Sequence, residues 1–231
     1  MIGALDRGET TTRIEAFVDG AFAFALTLLA IAGDHIPGSV GELVDAIKGV
    51  PAFAMSFLLI VQVWSGHVEW SRRFGLDDAP SRRLSLLLVL LVLVFVYPMK
   101  MVFSALFSGL SGGYLPANFT IGSYAEVTTL FVTFGVAFGS LGLTLFLLYL
   151  HAWKQRDALE LDLGERILAR ASMTCWALIP AVAAVSIALA LWLFGRSESG
   201  WWNGIPGYIY FSLNIATPLI MQRARQHALK P

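Results

Sequence analysis

Glu15 and Asp19 stand four residues apart inside an apolar run, the spacing that puts two side chains on one helix face. A carboxylate at bilayer depth is costly and normally faces protein interior, water or a counter-charge. Such a pair can act as a cation ligand, as a proton relay, or as the structural partner of a neighbouring helix. Asp19 follows Arg13 by six residues, about 9 Å along a helix axis. That depth lies inside one leaflet rather than at the bilayer centre, so structural pairing weighs at least as much as an ion site. His67, at the end of the next apolar run, is the imidazole a relay with Asp19 would use, although a histidine at a helix end is more often simply packed and hydrogen-bonded. No His-Glu-x-x-His, Gly-x-Ser-x-Gly or phosphate-loop pattern occurs, and the four histidines are scattered, so neither an enzyme nor a metal site is expected.

At 100° per residue, Phe17, Gly20, Ala21, Phe24, Thr27, Leu28 and Ile31 share one face of this first helix, and Glu15 and Asp19 fall nearly opposite. Phe24, Leu28 and Ile31 form an apolar stripe about two turns long. Taken by itself, such a stripe is core packing or lipid contact.

The elements that carry these residues follow from composition. The chain has 231 residues, 57% hydrophobic and 14% charged, against about a quarter charged in a soluble domain. The excess apolar surface calls for lipid. Six stretches, 14–33, 50–67, 84–107, 124–150, 167–194 and 203–221, approach the run of about 20 mostly apolar residues that a spanning helix needs. Pro51 falls in a first turn, and Pro98 and Pro206 near the outer ends of their spans, where they punctuate or kink without removing a helix. Of the 16 Lys and Arg residues, all but Lys48, Lys100 and Arg196 fall on one side of these spans, which by the positive-inside rule puts both termini in the cytoplasm. Acids inside the first run argue against a cleaved signal peptide. The formal net charge is zero, so nothing points to nucleic acid. The single cysteine, Cys175, excludes an internal disulfide and reads as a free thiol packed inside a helix.

No segment outside the spans is long enough for a second core, so residues 1–231 are expected to form a single six-helix transmembrane domain. Trp201, Trp202, Tyr208 and Tyr210 cluster where headgroup-level aromatics belong. Gly135, Gly139 and Gly142 present small residues at helical spacing, a signal of tight helix packing. Asn118-Phe119-Thr120 forms a glycosylation sequon of a kind common by chance.

The stretch Arg13-Ile14-Glu15-Ala16-Phe17-Val18-Asp19-Gly20-Ala21-Phe22-Ala23-Phe24-Ala25-Leu26-Thr27-Leu28-Leu29 resembles the Arg-x-x-x-Phe-Ser-Asp-Gly signature of the transmembrane protein 175 family, endolysosomal potassium channels with bacterial relatives. Ser56-Phe57 through Trp64-Ser65-Gly66-His67 resembles that family's second-helix pattern, and Tyr97-Pro98-Met99 is similar to the end of its third helix. Beyond residue 107 the likeness consists mainly of helix count. Val18 stands where the signature has Ser, Val68 replaces a second His, the third helix lacks an Asn, and Phe24 replaces an aliphatic residue. By that resemblance, the first three departures would thin the network that ties the helices together in the family, and the fourth would narrow the pore expected there.

The resemblance implies an all-α membrane protein in a bacterial plasma membrane, a homotetrameric cation channel with four copies of the first helix lining the pore and no carbonyl-lined filter. It places pore constrictions on Phe24, Leu28 and Ile31, a selectivity layer on Thr27, and the signature network on Arg13, Phe17, Asp19, Trp64 and His67. Partners are then lipid, further copies of the chain and permeant potassium, with no cofactor. Four apolar side chains around an axis gate ions by wetting and dewetting, and hydroxyls beside them replace part of a cation's hydration shell. Two alternatives stay open: a proton-coupled carrier or proton pathway using Asp19 and His67, and a non-conducting relative of the channels.

Overall fold

The structure is a computed structural model that describes residues 8, 11–31, 36–117, 119, 121–193 and 204–228. Arg7, Arg196, Trp201, Trp202, Lys230 and the sequon residues Asn118 and Thr120 lie outside the described residues. Every regular element among the described residues is helical: α1 (Arg13–Ile31), α2 (Val40–Lys48), α3 (Val50–Phe74), α4 (Ala79–Leu110), α5 (Tyr124–Lys154), α6 (Leu163–Leu193), α7 (Ile205–Tyr208) and α8 (Phe211–Ala228). By length and composition α1, α3, α4, α5 and α6 can each cross a membrane.

Local chemistry sets the helix ends. Thr12 and Glu15 close a reciprocal box at the start of α1: the Glu15 N–H donates to Thr12 Oγ1 at 3.2 Å and the Thr12 N–H to Glu15 Oε2 at 2.6 Å. Asp162 and Glu165 repeat the device before α6. Asp78 Oδ1 caps α4 by accepting the Ser81 N–H at 3.0 Å. Gly75 ends α3 in the left-handed conformation, φ 59°, its N–H donating to the Ser71 carbonyl at 2.8 Å, a position where a Cβ would be strained.

The segment 203–221, expected as a sixth span, differs. Among the described residues it is divided into the single turn α7 and then α8, with the helix interrupted at Ile209 and Tyr210. By length and composition α8 alone is not apolar enough to count as a span, since its last two turns carry Arg223, Arg225 and His227. Yet the segment runs the length of α6, with Ser186 Oγ donating to the Pro206 carbonyl at 2.7 Å at one end, Cys175 Sγ beside the Thr217 carbonyl midway, and Gly164 facing Ala228 at the other. Pro98 lies inside its helix, as expected, and α4 runs on to Leu110.

The core joins Val18, Phe22, Ala25 and Leu29 of α1 to Ile60, Val63 and Trp70 of α3, Val92 and Met99 of α4, and Leu141, Leu145 and Leu148 of α5. Lipid tails are as apolar as these side chains, so close packing rather than water exclusion holds such helices together. The glycine stripe of α5 shows how. A Cβ on Gly135 would lie 2.6 Å from Ile187, one on Gly139 2.9 Å from Ala183, and one on Gly142 2.5 Å from Ile179, all on α6. α1 packs chiefly on α4 and α3, at the edge of the bundle.

Candidate functional site: the uncovered face of the first helix

Packing divides α1 in two. Val18, Phe22, Ala25 and Leu29 are at most 2% exposed, a 4, 3, 4 spacing that keeps one stripe against α3 and α4. On the other side Phe17 is 55%, Phe24 56% and Ile31 66% exposed. Arg13, Gly20 and Thr27 are exposed with them, while Leu28 is half-buried against the core. A Cβ added at Gly20 would meet nothing within 4 Å. The helix thus offers an uncovered strip running from Arg13 to Ile31.

Thr27 carries the side-chain hydroxyl of this strip. Its Oγ1 donates to the Ala23 carbonyl at 2.9 Å. The proton is therefore committed to the helix's own backbone, and the oxygen turns its lone pairs outward.

The two acids point toward α3. Trp64 Nε1 donates to Asp19 Oδ1 at 2.8 Å, and Ser71 Oγ donates to Glu15 Oε1. Each carboxylate thereby ties α1 to α3 at one level, with Glu15 also serving the cap. His67 does not join Asp19: its Nε2 lies 2.9 Å from Ser85 Oγ on α4, and its ring leans on Trp70 at 5.7 Å between centroids. Trp70 Nε1 in turn donates to the Leu148 carbonyl of α5 at 3.0 Å. Of the proposed network, then, Asp19 and Trp64 meet directly and His67 forms a second link, from α3 to α4. Arg13 and Phe17 stand on the uncovered strip, and no carboxylate among the described residues lies within ion-pair distance of Arg13.

Two polar groups outside the expected set tie helices to one another. Lys100, buried on α4, reaches the Leu29 carbonyl at 3.5 Å, placing a cation beside the carbonyl end of α1, where the helix dipole favours one. Asp78, beyond the start of α4, accepts from His151 Nε2 at 2.7 Å and Gln155 Nε2 at 2.8 Å on α5. Burial pushes its carboxyl up, but the hydrogen bonds from Ser81, His151 and Gln155 outweigh that and hold it well below the usual carboxylate range. Apolar periodicity carries no signal for either contact, since each rests on a polar residue whose partner lies on another helix.

Among the described residues no group of three or more His, Cys, Asp or Glu is placed to hold a metal. Cys175 is free and buried.

Residues 13–98 match the family described as endosomal/lysosomal potassium channel TMEM175. A potassium channel of Marivirga tractuosa is 30% identical over 190 residues, spanning 80% of this chain and 76% of that one. The crystal structure of a threonine-to-alanine variant of the potassium channel MtTMEM175, in complex with a nanobody fusion protein, is similar across 97% of this chain and 96% of that one, with a TM-score of 0.78 and 27% identity.

Proposed function

The chain belongs to the TMEM175 potassium-channel family, and from that membership we propose that it is a homotetrameric, potassium-permeable channel whose ion path is lined by the uncovered strip of α1. The observation that carries the reading is the division of α1 itself. A helix that crosses a membrane with Phe24, Thr27 and Ile31 uncovered and Phe22, Ala25 and Leu29 sealed presents one face to something other than its own bundle. Four copies around an axis close that face on itself. Phe24, Leu28 and Ile31 then form successive apolar rings that pass ions only when wetted, and Thr27 supplies a ring of oxygen lone pairs between them. No group in this path holds a full negative charge, which suits rapid passage and a modest preference for potassium over sodium.

In this arrangement the arginine-rich loops and both termini lie in the cytoplasm of a bacterial cell. A proton relay needs Asp19 and His67 to exchange protons, yet their hydrogen bonds go to Trp64 and Ser85 respectively, so the geometry favours a channel over a carrier.

Purified protein in planar bilayers under opposed potassium and sodium gradients should give unitary currents that reverse on the potassium side of zero. Saturable flux without unitary events would replace the channel with a carrier. No flux in sealed vesicles would make the chain a non-conducting relative.

A further inference from the structure

α2 lies between two bilayer-crossing helices, and its residues divide cleanly between two faces. Val40, Leu43, Val44 and Ile47 recur at i, i+3, i+4 and i+7, and they are 78%, 49%, 49% and 58% exposed. Glu42, Asp45 and Lys48 take the other side. The ends are built to hold the helix where it stands. Ser39 Oγ accepts the Glu42 N–H at 3.2 Å, the Gly38 N–H donates to Glu42 Oε2 at 2.8 Å, and Lys48 Nζ meets Asp45 at 2.7 Å. The chain's own core leaves the apolar face uncovered, because α2 touches α3 lightly and little else.

Position says what covers that face. Gly49 is at once the last cap of α2 and the first cap of α3, so α2 springs directly from the first turn of a bilayer-crossing helix. Upstream, eight residues separate it from the end of α1. Joined to α3 through the single residue Gly49, it ends at the level where that helix enters the bilayer. Lys48 Nζ also stands 5.4 Å from the ring centre of Tyr114, on the turn after α4, an amphipathic ring of the kind that settles among headgroups. Nine residues make a helix about 13.5 Å long, too short to cross a bilayer and well suited to lie on one.

We propose that α2 is an interfacial helix lying flat on the leaflet opposite the arginine-rich loops, with Val40, Leu43, Val44 and Ile47 among the acyl chains and Glu42, Asp45 and Lys48 in water. Its two acids outnumber its one lysine, so apolar burial and not attraction to anionic headgroups seats it.

The test uses the full chain with Cys175→Ala, spin-labelled singly through Leu43→Cys, Ile47→Cys, Glu42→Cys or Asp45→Cys, in vesicles of phosphatidylethanolamine and phosphatidylglycerol. The ratio of oxygen to water-soluble nickel-chelate collisions should be severalfold higher at 43 and 47 than at 42 and 45. The same contrast should persist in pure phosphatidylcholine. High nickel access at all four positions would place α2 in water and overturn the proposal. Low access to both reagents at 43 and 47, with dipolar broadening between labels, would mean that a second copy of the chain covers the face, and would overturn it equally. If Leu43→Cys fails to fold, Val44→Cys reports the same side.

Discussion

Phe22 and Phe24 are two residues apart and separate the two roles α1 combines. Phe22 is 2% exposed and Phe24 56%, so Phe22→Ala leaves a cavity while Phe24→Ala removes a ring from the proposed path. In lipid the cavity share of the usual truncation cost remains, about 2 kcal/mol, and should appear as a lower thermal midpoint with conductance unchanged in the surviving protein. Phe24→Ala should leave the midpoint nearly in place while raising conductance or open probability in single-channel recordings, with Phe24→Ile falling between. Equal effects of the two alanines on current would remove this face from the ion path. Thr27→Val keeps volume but loses the oxygen, and it should shift the reversal potential under mixed potassium and sodium toward zero. The face shared by Phe24, Thr27 and Ile31 was legible from a helical wheel, because one long periodic helix fixes relative direction whatever surrounds it. The Thr12-x-x-Glu15 box was equally legible as a motif, yet inside an apolar run Glu15 reads as a buried charge. The bond from His67 to Ser85 was not legible, since a serine on another helix leaves no periodic trace.

Between elements, small residues and caps set distances that side-chain volume cannot adjust. Gly142 faces Ile179 of α6 close to the backbone, with Pro180 just behind, and neither is a flexible chain end. Gly142→Ala should therefore push α5 from α6 at a cost of about 1–3 kcal/mol, measured as a fall in thermal midpoint in detergent or nanodiscs. The Asp78 contact links the start of α4 to the end of α5 through charge. Because its carboxyl titrates below its unfolded value of 3.8, its contribution is full above that pH and is lost as pH falls toward the folded value. Asp78→Asn can still cap α4 but has no charge to lose. Thermal unfolding followed from neutral pH to below about pH 4 should fall less steeply in the variant than in the parent, and parallel curves would deny Asp78 that role. The long helices were legible as apolar runs, although α3 extends to Phe74 and α4 to Leu110, past the ends that hydropathy marks. α2 leaves no mark in hydropathy because nine residues fall far short of a span, despite a complete amphipathic pattern.

For the whole molecule, apolar side chains stand open on helices at opposite ends of the chain. Beside the strip on α1, Phe211, Ile215 and Leu219 stand 64%, 66% and 48% exposed along α8. Native mass spectrometry of protein released from detergent should give a mass of four chains, and Phe17→Glu, which places a charge on the strip outside the sealed core, should lower that assembly's yield more than it lowers the helicity of the chain. A monomeric parent would contradict a shared pore. The number of subunits is not written in hydropathy, since lipid and a second subunit select the same apolar residues. The place of α1 at the edge of the bundle also bears on how the chain is made. α1 leaves the ribosome before α3 and α4, but Asp19 is joined by Trp64 and Glu15 by Ser71, 45 and 56 residues downstream, and its sealed face closes chiefly against α3 and α4. Until those segments have been synthesised and inserted, Asp19 waits without its indole donor and Glu15 keeps only the bond of its own helix cap. Translation past α4, rather than the insertion of α1 itself, is then the moment at which the proposed ion path acquires its orientation.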